Sequence, residues 1–559
     1  MTILVRNVLF AASVGFFASL FGAKSFGAEA DQTLKLSQYL QRPKLVVVVV
    51  IDQFRADYLT RFASRFLAAR PTGKTIGGFR YLMGEGAYFP FAQFDVLQNM
   101  TCPGHAAILT GALPYAHHIP LNEWYDDSSA KDVYCVEDSS TELVGSNTKT
   151  KQPGVSPRLL KVSTFGDELK SAGYNSHIIA ISLKDRAAIL LGGHRADLAM
   201  WFDQDASEWI SSRYYLPEGR RPSWMTHLNS EIAKKLFQPT LWKAKGQETG
   251  LSNQYDKGKF EREGSYGSKE SLRTPVGIEL TTQAAIAALK EYKLGSSTAT
   301  DLLAVSYSSH DMLGHKFGPN AREMEELTIA EDQSLSELFT SINNTVPGGI
   351  KNALIVLTGD HGVAPTVPFA MTGRFETGTV NGSELLKNIN TALSQKFGPT
   401  GEAAAGYVAA VHSFNFYLNH KAIAARKLTV KEVEDALKSL LLKENATEAV
   451  FSLSDYRAGR LPGGIHARQI NNSYVPGING DVVLIPKPFY VEEGEPATHM
   501  TGYSYDRTVP IVIAGPHILR NVYATQAHVI DIAPTLSFLS GVLPPTNSEG
   551  RVLSEAIGK

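Results

Sequence analysis

"KLVVVVVIDQF", residues 44–54, is the stretch from which the fold is read. Seven consecutive aliphatic residues, five of them valine, end in an acid. β-Branched side chains are stiff about χ1 and favour extended backbone. A run without polar alternation marks a central parallel strand, buried on both faces. Similar runs recur at 177–182 (HIIAIS), 301–308 (DLLAVSYS), 353–362 (ALIVLTGDHG), 480–486 (GDVVLIP) and 509–515 (VPIVIAG). Helical patterns lie between them, at 156–173, 276–294 and 321–344. This alternation predicts an α/β fold, a mostly parallel central sheet flanked by helices. In such sheets ligands bind beyond the carboxyl ends of the strands. The residues that directly follow the runs are therefore the candidates for chemistry.

The chain has 559 residues, 43% hydrophobic and 19% charged, ordinary globular composition too long for one minimal domain. Its net charge of −1 offers no basic surface to nucleic acid. Residues 239–275 are polar and Gly/Ser-rich and read as a surface insertion. Residues 366–498 carry their own helix, TVKEVEDALKSLLLKE, and strands, and read as a smaller subdomain. The expected division is a leader at 1–30, a catalytic core at 31–365, the inserted subdomain at 366–498 and a return to the core at 499–559.

At the N-terminus Arg6 precedes the apolar run VLFAASVGFFASLFGA, followed by small residues as far as Ala28 and Ala30. This is the pattern of a secretory signal peptide. About 16 apolar residues fall short of the ~20 that a spanning helix needs, and a retained anchor is the alternative. Cleavage near Ala28 or Ala30 would leave a periplasmic or secreted protein with no stable membrane partner. Two cysteines, Cys102 and Cys135, could then form a disulfide; the alternative is two free thiols. A bridge would brace the loop that carries Thr101.

Asp52 ends the valine run, Asp311 and His315 sit in SYSSHDMLGHKFGP, Asp360 and His361 in LTGDHGVAP, and His499 in PATHMTG. The D-x-x-x-H spacing of Asp311 and His315 puts both on one face of a helix. Each piece alone is ordinary: a surface turn, a loop cap, a solvated helical pair. Together, three carboxylates and three imidazoles suit two divalent ions, Zn²⁺ foremost. Two metals roughly 4 Å apart are a recurring solution for cleaving phosphate esters. Thr101, in QNMTCPGHAAILTG, precedes a small-residue helical run. It could simply cap that helix. The same helix end gathers N–H groups and positive dipole that suit a phosphoryl group. A hydroxyl is a poor nucleophile until activated, and metal coordination would activate it. Lys184 and Arg186, in SLKDRAAIL, are two apart and point the same way if the chain is extended. Two cations side by side suit a doubly charged phosphoryl group. A basic turn balanced by Asp185 is the plainer reading.

These motifs, with LNEWYD at 121–126 and ATHMTGYSYDRTVPIVIAG at 497–515, resemble the alkaline phosphatase superfamily. They are most similar to its phosphate-irrepressible periplasmic alkaline phosphatases, over nearly the whole chain beyond the leader. The resemblance implies one Zn²⁺ on Asp311, His315 and His499, and a second on Asp52, Asp360 and His361, with Thr101 as a further ligand. It implies that Thr101 is the nucleophile and passes through a phosphothreonine. Asn122, Lys184 and Arg186 would bind the phosphoryl oxygens. Pro120-Leu121 stand where small residues are expected, a difference that could shift Asn122. The function implied is hydrolysis of small phosphate monoesters.

A phosphodiesterase or nucleotide pyrophosphatase of the same superfamily would share the ligands and Thr101. A diester presents one fewer negative oxygen, so Lys184 with Arg186 favours monoesters. A sulfatase needs C-x-P-x-R, and TCPGHA has no matching arginine. A non-catalytic periplasmic phosphate- or metal-binding protein would need cations and helix ends, but neither six ligands nor a poised hydroxyl. His105, His117, His118, His194, His310 and His466 lie near the motifs and are expected to pack or support; His310 adjoins Asp311.

Overall fold

The computed structural model describes residues 42–145, 153–244, 260–400 and 406–558. The leader expected at 1–30 lies outside the described residues, as does 245–259 of the polar stretch. The described chain opens with β1 (Leu45–Ile51), β2 (Ala87–Gln93), helix α1 (Thr101–Thr110) and the hairpin β3 (Glu123–Asp126) and β4 (Lys131–Tyr134). β5 (Leu143–Val144), α2 (Phe165–Ser171), β6 (Ile178–Ser182), α3 (Asp185–Gly192), β7 (Leu198–Asp203) and β8 (Glu208–Ser212) follow. Then come β9 (Pro239–Lys243), β10 (Glu261–Ser265), α4 (Pro275–Glu291), β11 (Asp301–Tyr307), α5 (Ser309–Phe317), α6 (Arg322–Thr345) and β12 (Ala353–Gly359). The rest includes β13 (Gly378–Val380), β14 (Val408–His412), β15 (Asn415–Leu418), α7 (Val430–Leu441) and β16 (Thr447–Ser452). It ends with β17 (Val482–Pro486), β18 (Tyr490–Glu492), β19 (Thr508–Ala514) and β20 (Asn521–Val522).

Ten strands form one sheet in the order β20-β2-β19-β12-β1-β11-β6-β7-β8-β5. From β12 to β7 every pairing is parallel. Both flanks carry antiparallel pairings, through β19 on one side and β8 on the other. The mostly parallel sheet expected from the sequence is thus the centre of a wider mixed one.

All seven residues of β1 are buried. Successive side chains alternate between faces. Leu45, Val47, Val49 and Ile51 join Ile278 and Leu280 of α4 and Leu335 and Leu338 of α6 in one apolar cluster. Val46, Val48 and Val50 are buried on the other face. There α2 and α3 approach the sheet through glycines. A Cβ on Gly166 would stand 2.9 Å from Ile178 Cγ2, and one on Gly192 would stand 3.3 Å from Ala180 Cβ.

The run at 480–486 falls within the stretch 366–498 that reads as a subdomain, and it does not join the ten-stranded sheet. As β17 it lies inside a separate antiparallel sheet of order β14-β15-β17-β16. Val482 and Leu484 pack there with Val433 and Leu437 of α7. A short, fully buried apolar run reads the same whichever sheet holds it. Within the polar stretch 239–275, β9 and β10 form an antiparallel hairpin, and Trp242 meets Phe260 edge-on at 4.7 Å.

Candidate active site

Four adjacent strands, β12, β1, β11 and β6, deliver Asp360, Asp52, Asp311 and Lys184 from their carboxyl ends. Ile51 is in register with Gly359 on one side and Tyr307 on the other, so the chain leaves all three strands at one level. Gln53 then takes a positive φ of 65°, which turns the backbone sharply after Asp52. Asp311 and His315 lie one turn apart on α5, His315 Nε2 being 3.1 Å from Asp311 Oδ1. His499 comes from the loop before β19. The first turn of α1 abuts Asp360 through Gly104, where a Cβ would stand 2.5 Å from the Asp360 carbonyl oxygen.

Each of the three expected histidine ligands points Nδ1 at a backbone carbonyl. His315 faces Ala497 O at 3.0 Å, His361 faces Gly362 O at 2.9 Å and His499 faces Asn99 O at 2.7 Å. A carbonyl can only accept, so Nδ1 carries the proton and Nε2 presents a lone pair to the site. Asp52 Oδ1 and His361 Nε2 are buried 3.5 Å apart without a hydrogen-bond partner. Two triads bring their donor atoms within 4.8 Å of one another, Asp52/Asp360/His361 and Asp311/His361/His499. His361 belongs to both, and stands in the second where the sequence reading has His315. This donor set of carboxylates and neutral imidazoles fits divalent metal.

The electrostatics point the same way. Burial, with Asp311 and Asp360 close by, pushes the Asp52 carboxyl well above its usual range, against the pull of Lys184. Burial would raise Asp311 too, but Lys184 and His315 hold it well below. Burial holds His361 below its ordinary value, and burial with the neighbouring His361 and His315 does so more strongly at His499. Burial would lower His315, but Asp311 in turn raises it, so three buried acids share the Lys184 ammonium and the His315 ring, while His361 and His499 are held toward the neutral form.

Thr101 opens α1 and is buried. Lys184 Nζ lies 3.5 Å from its Oγ1 and 2.6 Å from both Asp52 Oδ2 and Asp311 Oδ2. Asn122 Oδ1 accepts from the Cys102 N–H at 2.8 Å, so the Asn122 amide is fixed beside the helix end. Cys102 and Cys135 form a disulfide, which ties α1 to the β3–β4 hairpin that carries Asn122. The extended Lys184–Arg186 pair expected from the sequence is not found. Lys184 caps α3 with extended backbone and Arg186 lies in the first helical turn. Both nonetheless line one pocket of about 270 Å³ with Trp201 and Phe202.

The supporting histidines are bound elsewhere. His310 is buried, pairs Nε2 with Thr328 Oγ1 at 3.0 Å, and is pushed down to about 3 by burial. His117 is likewise held at about 3. His194 contacts Asp167 and the Leu160 carbonyl. His105 is the exception in place: its Nδ1 is 2.9 Å from Thr101 O and 3.0 Å from Asp360 Oδ2, so it stands between the Thr101 backbone and the Asp360 carboxylate. Sequence reasoning missed Gln53. Its side-chain amide donates to Asp311 Oδ1 at 2.8 Å and its backbone N–H to Asp360 Oδ1 at 3.0 Å. Its position next to Asp52 was the only signal.

Comparison with known proteins shows the family of the chain. The model of the type I phosphodiesterase / nucleotide pyrophosphatase family matches residues 46–504. Alkaline phosphatase PafA of Elizabethkingia meningoseptica is 33% identical over 544 residues, covering 93% of this chain and 95% of that protein. A Myroides odoratus protein named as a calcium-transporting ATPase is 30% identical over 548 residues, covering 93% of this chain and 96% of its own. The crystal structure of wild-type PafA matches with a TM-score of 0.80 at 30% identity, over 92% of this chain and 99% of that one. The chain belongs to the type I phosphodiesterase / nucleotide pyrophosphatase family, within the alkaline phosphatase superfamily.

Proposed function

We propose that this chain is an exported, zinc-dependent alkaline phosphatase that hydrolyses phosphate monoesters through a phosphothreonine. The observation that carries this reading is the clustering of three buried carboxylates with His361 and His499, His315 being 3.1 Å from Asp311, around Lys184, whose Nζ is 3.5 Å from the Thr101 hydroxyl. The similarity to PafA supports it. The names of both relatives describe cleavage of a phosphoryl P–O bond, the chemistry that such a site supports.

Asp52, Asp360 and His361 would hold one Zn²⁺, and Asp311, His315 and His499 the other, with Thr101 as a further ligand. When bound, the two ions supply Lewis-acid charge that lowers the pKa of hydroxyl and water and offsets charge on the leaving oxygen. Thr101 Oγ1 forms the new P–O bond as the ester P–O bond breaks and the alcohol leaves. Water then displaces Thr101 from phosphorus, and the hydroxyl regains its proton. Asn122, Lys184, Arg186 and the N–H groups at the start of α1 bear the equatorial oxygens. The Lys184–Arg186 pair favours a dianion, hence monoesters over the diesters of the family's name. Residues 1–30 would be removed on export to the periplasm or beyond, and the Cys102–Cys135 disulfide suits such an oxidising compartment. We further propose that 366–498 is an inserted subdomain between core segments 31–365 and 499–559. The separate sheet and apolar cluster within it support that division.

The test compares p-nitrophenyl phosphate with its bis-ester. Thr101→Ala should lower turnover of the monoester about a thousandfold or more and leave bound zinc unchanged. Lys184→Ala and Arg186→Ala should each cost about a hundredfold on the monoester and much less on the diester. Retained activity in the first variant, or equal losses in the other two, contradicts the reading.

A further inference from the structure

We infer that Tyr134 is a positioning residue for Arg186, and so sets selectivity for dianionic phosphoryl groups. The inference rests on the monoesterase reading, in which Arg186 binds a phosphoryl oxygen.

Tyr134 ends β4, directly before Cys135, whose disulfide to Cys102 ties the strand to the helix of Thr101. Its hydroxyl donates to Asp185 Oδ1 at 2.6 Å and accepts from Arg186 Nη1 at 3.3 Å. Asp185 Oδ1 is itself held by the Arg186 backbone N–H at 2.7 Å. The phenol oxygen therefore stands between a carboxylate and the guanidinium of the next residue. With the phenol there, the Asp185 carboxylate is engaged and Arg186 is held by one Nη. Arg186 Nε remains buried without a hydrogen-bond partner. Without the hydroxyl, the guanidinium is free to turn toward Asp185 and away from the site. Burial and the adjacent Asp185 push the phenol pKa up, so the hydroxyl keeps the proton it donates. A misplacement of about 1 Å in such a group costs up to about a hundredfold in rate.

The experiment is a double-mutant cycle on the zinc-loaded enzyme, read with p-nitrophenyl phosphate, its bis-ester and inorganic phosphate as inhibitor. Tyr134→Phe should lower monoester kcat/KM about tenfold, with little change on the diester, and weaken phosphate inhibition by a similar factor. Added to Arg186→Ala it should cost nothing further. Asp185→Asn, which keeps an acceptor for the phenol, should cost less than Tyr134→Phe. Equal losses on monoester and diester, or losses that multiply in the double variant, overturn the role of Tyr134. If Arg186→Ala alone fails to favour diesters, the monoester clamp falls first and this inference with it, and that outcome is distinct from a failure of Tyr134 alone.

Discussion

Among single residues, the site is built from side chains whose free atoms all face one way. Three Nδ1–carbonyl hydrogen bonds aim three Nε2 lone pairs inward, and Asp52 Oδ1 is buried without a partner. Gln53 ties the two halves, through Asp311 and Asp360. Gln53→Ala removes the Asp311 contact but not the backbone one. It should weaken zinc binding about 10–100-fold, read by competition with a chelator, while the folded signal persists. An unchanged affinity would show that Asp311 is oriented without it. The acids and histidines were legible in the sequence because all but His499 follow a strand run of the central sheet and each carries ionisable chemistry. Gln53 and Tyr134 were not, because neutral side chains reveal their partners only once strands distant in the chain are adjacent.

Among elements, strand ends and helix starts do the positioning. The valine run and its neighbours could be read directly, since a buried parallel strand needs little beyond unbroken aliphatics. The Lys184–Arg186 spacing misled because spacing alone does not state which backbone conformation a segment adopts. Helix α2 shows how local electrostatics enter stability. Thr164 and Asp167 form a reciprocal cap at its start, and Asp167 also takes His194 at 3.2 Å. The Asp167 hydrogen bond, outweighing burial, raises the His194 pKa. A folded pKa above the unfolded value of about 6.5 gives stabilisation that is complete below about pH 6.5. It is lost as pH rises through the folded value. Asp167, for which burial is outweighed by His194 and backbone donors, is depressed and loses its contribution only on acidification. The melting temperature of wild type should therefore exceed that of His194→Gln by about 1–2 °C near pH 6, and the gap should close toward pH 9. A gap that does not change with pH would contradict this.

At the scale of the molecule, one ten-stranded sheet brings to a single edge residues as far apart in sequence as Asp52 and His499. Helices pack on both faces of the sheet, and the disulfide ties the hairpin of Asn122 and Tyr134 to the helix of Thr101. The arrangement concentrates negative charge in a buried space and so calls for cations, and it sets a hydroxyl among them. Metal that binds only the folded chain also stabilises it. The most direct measurement starts from protein stripped with EDTA and titrated with Zn²⁺, reading bound metal and release of phosphate from p-nitrophenyl phosphate together. Turnover should be negligible in the stripped protein and rise to a level reached at about two ions per chain. Full-rate phosphate release from the metal-free chain would contradict it.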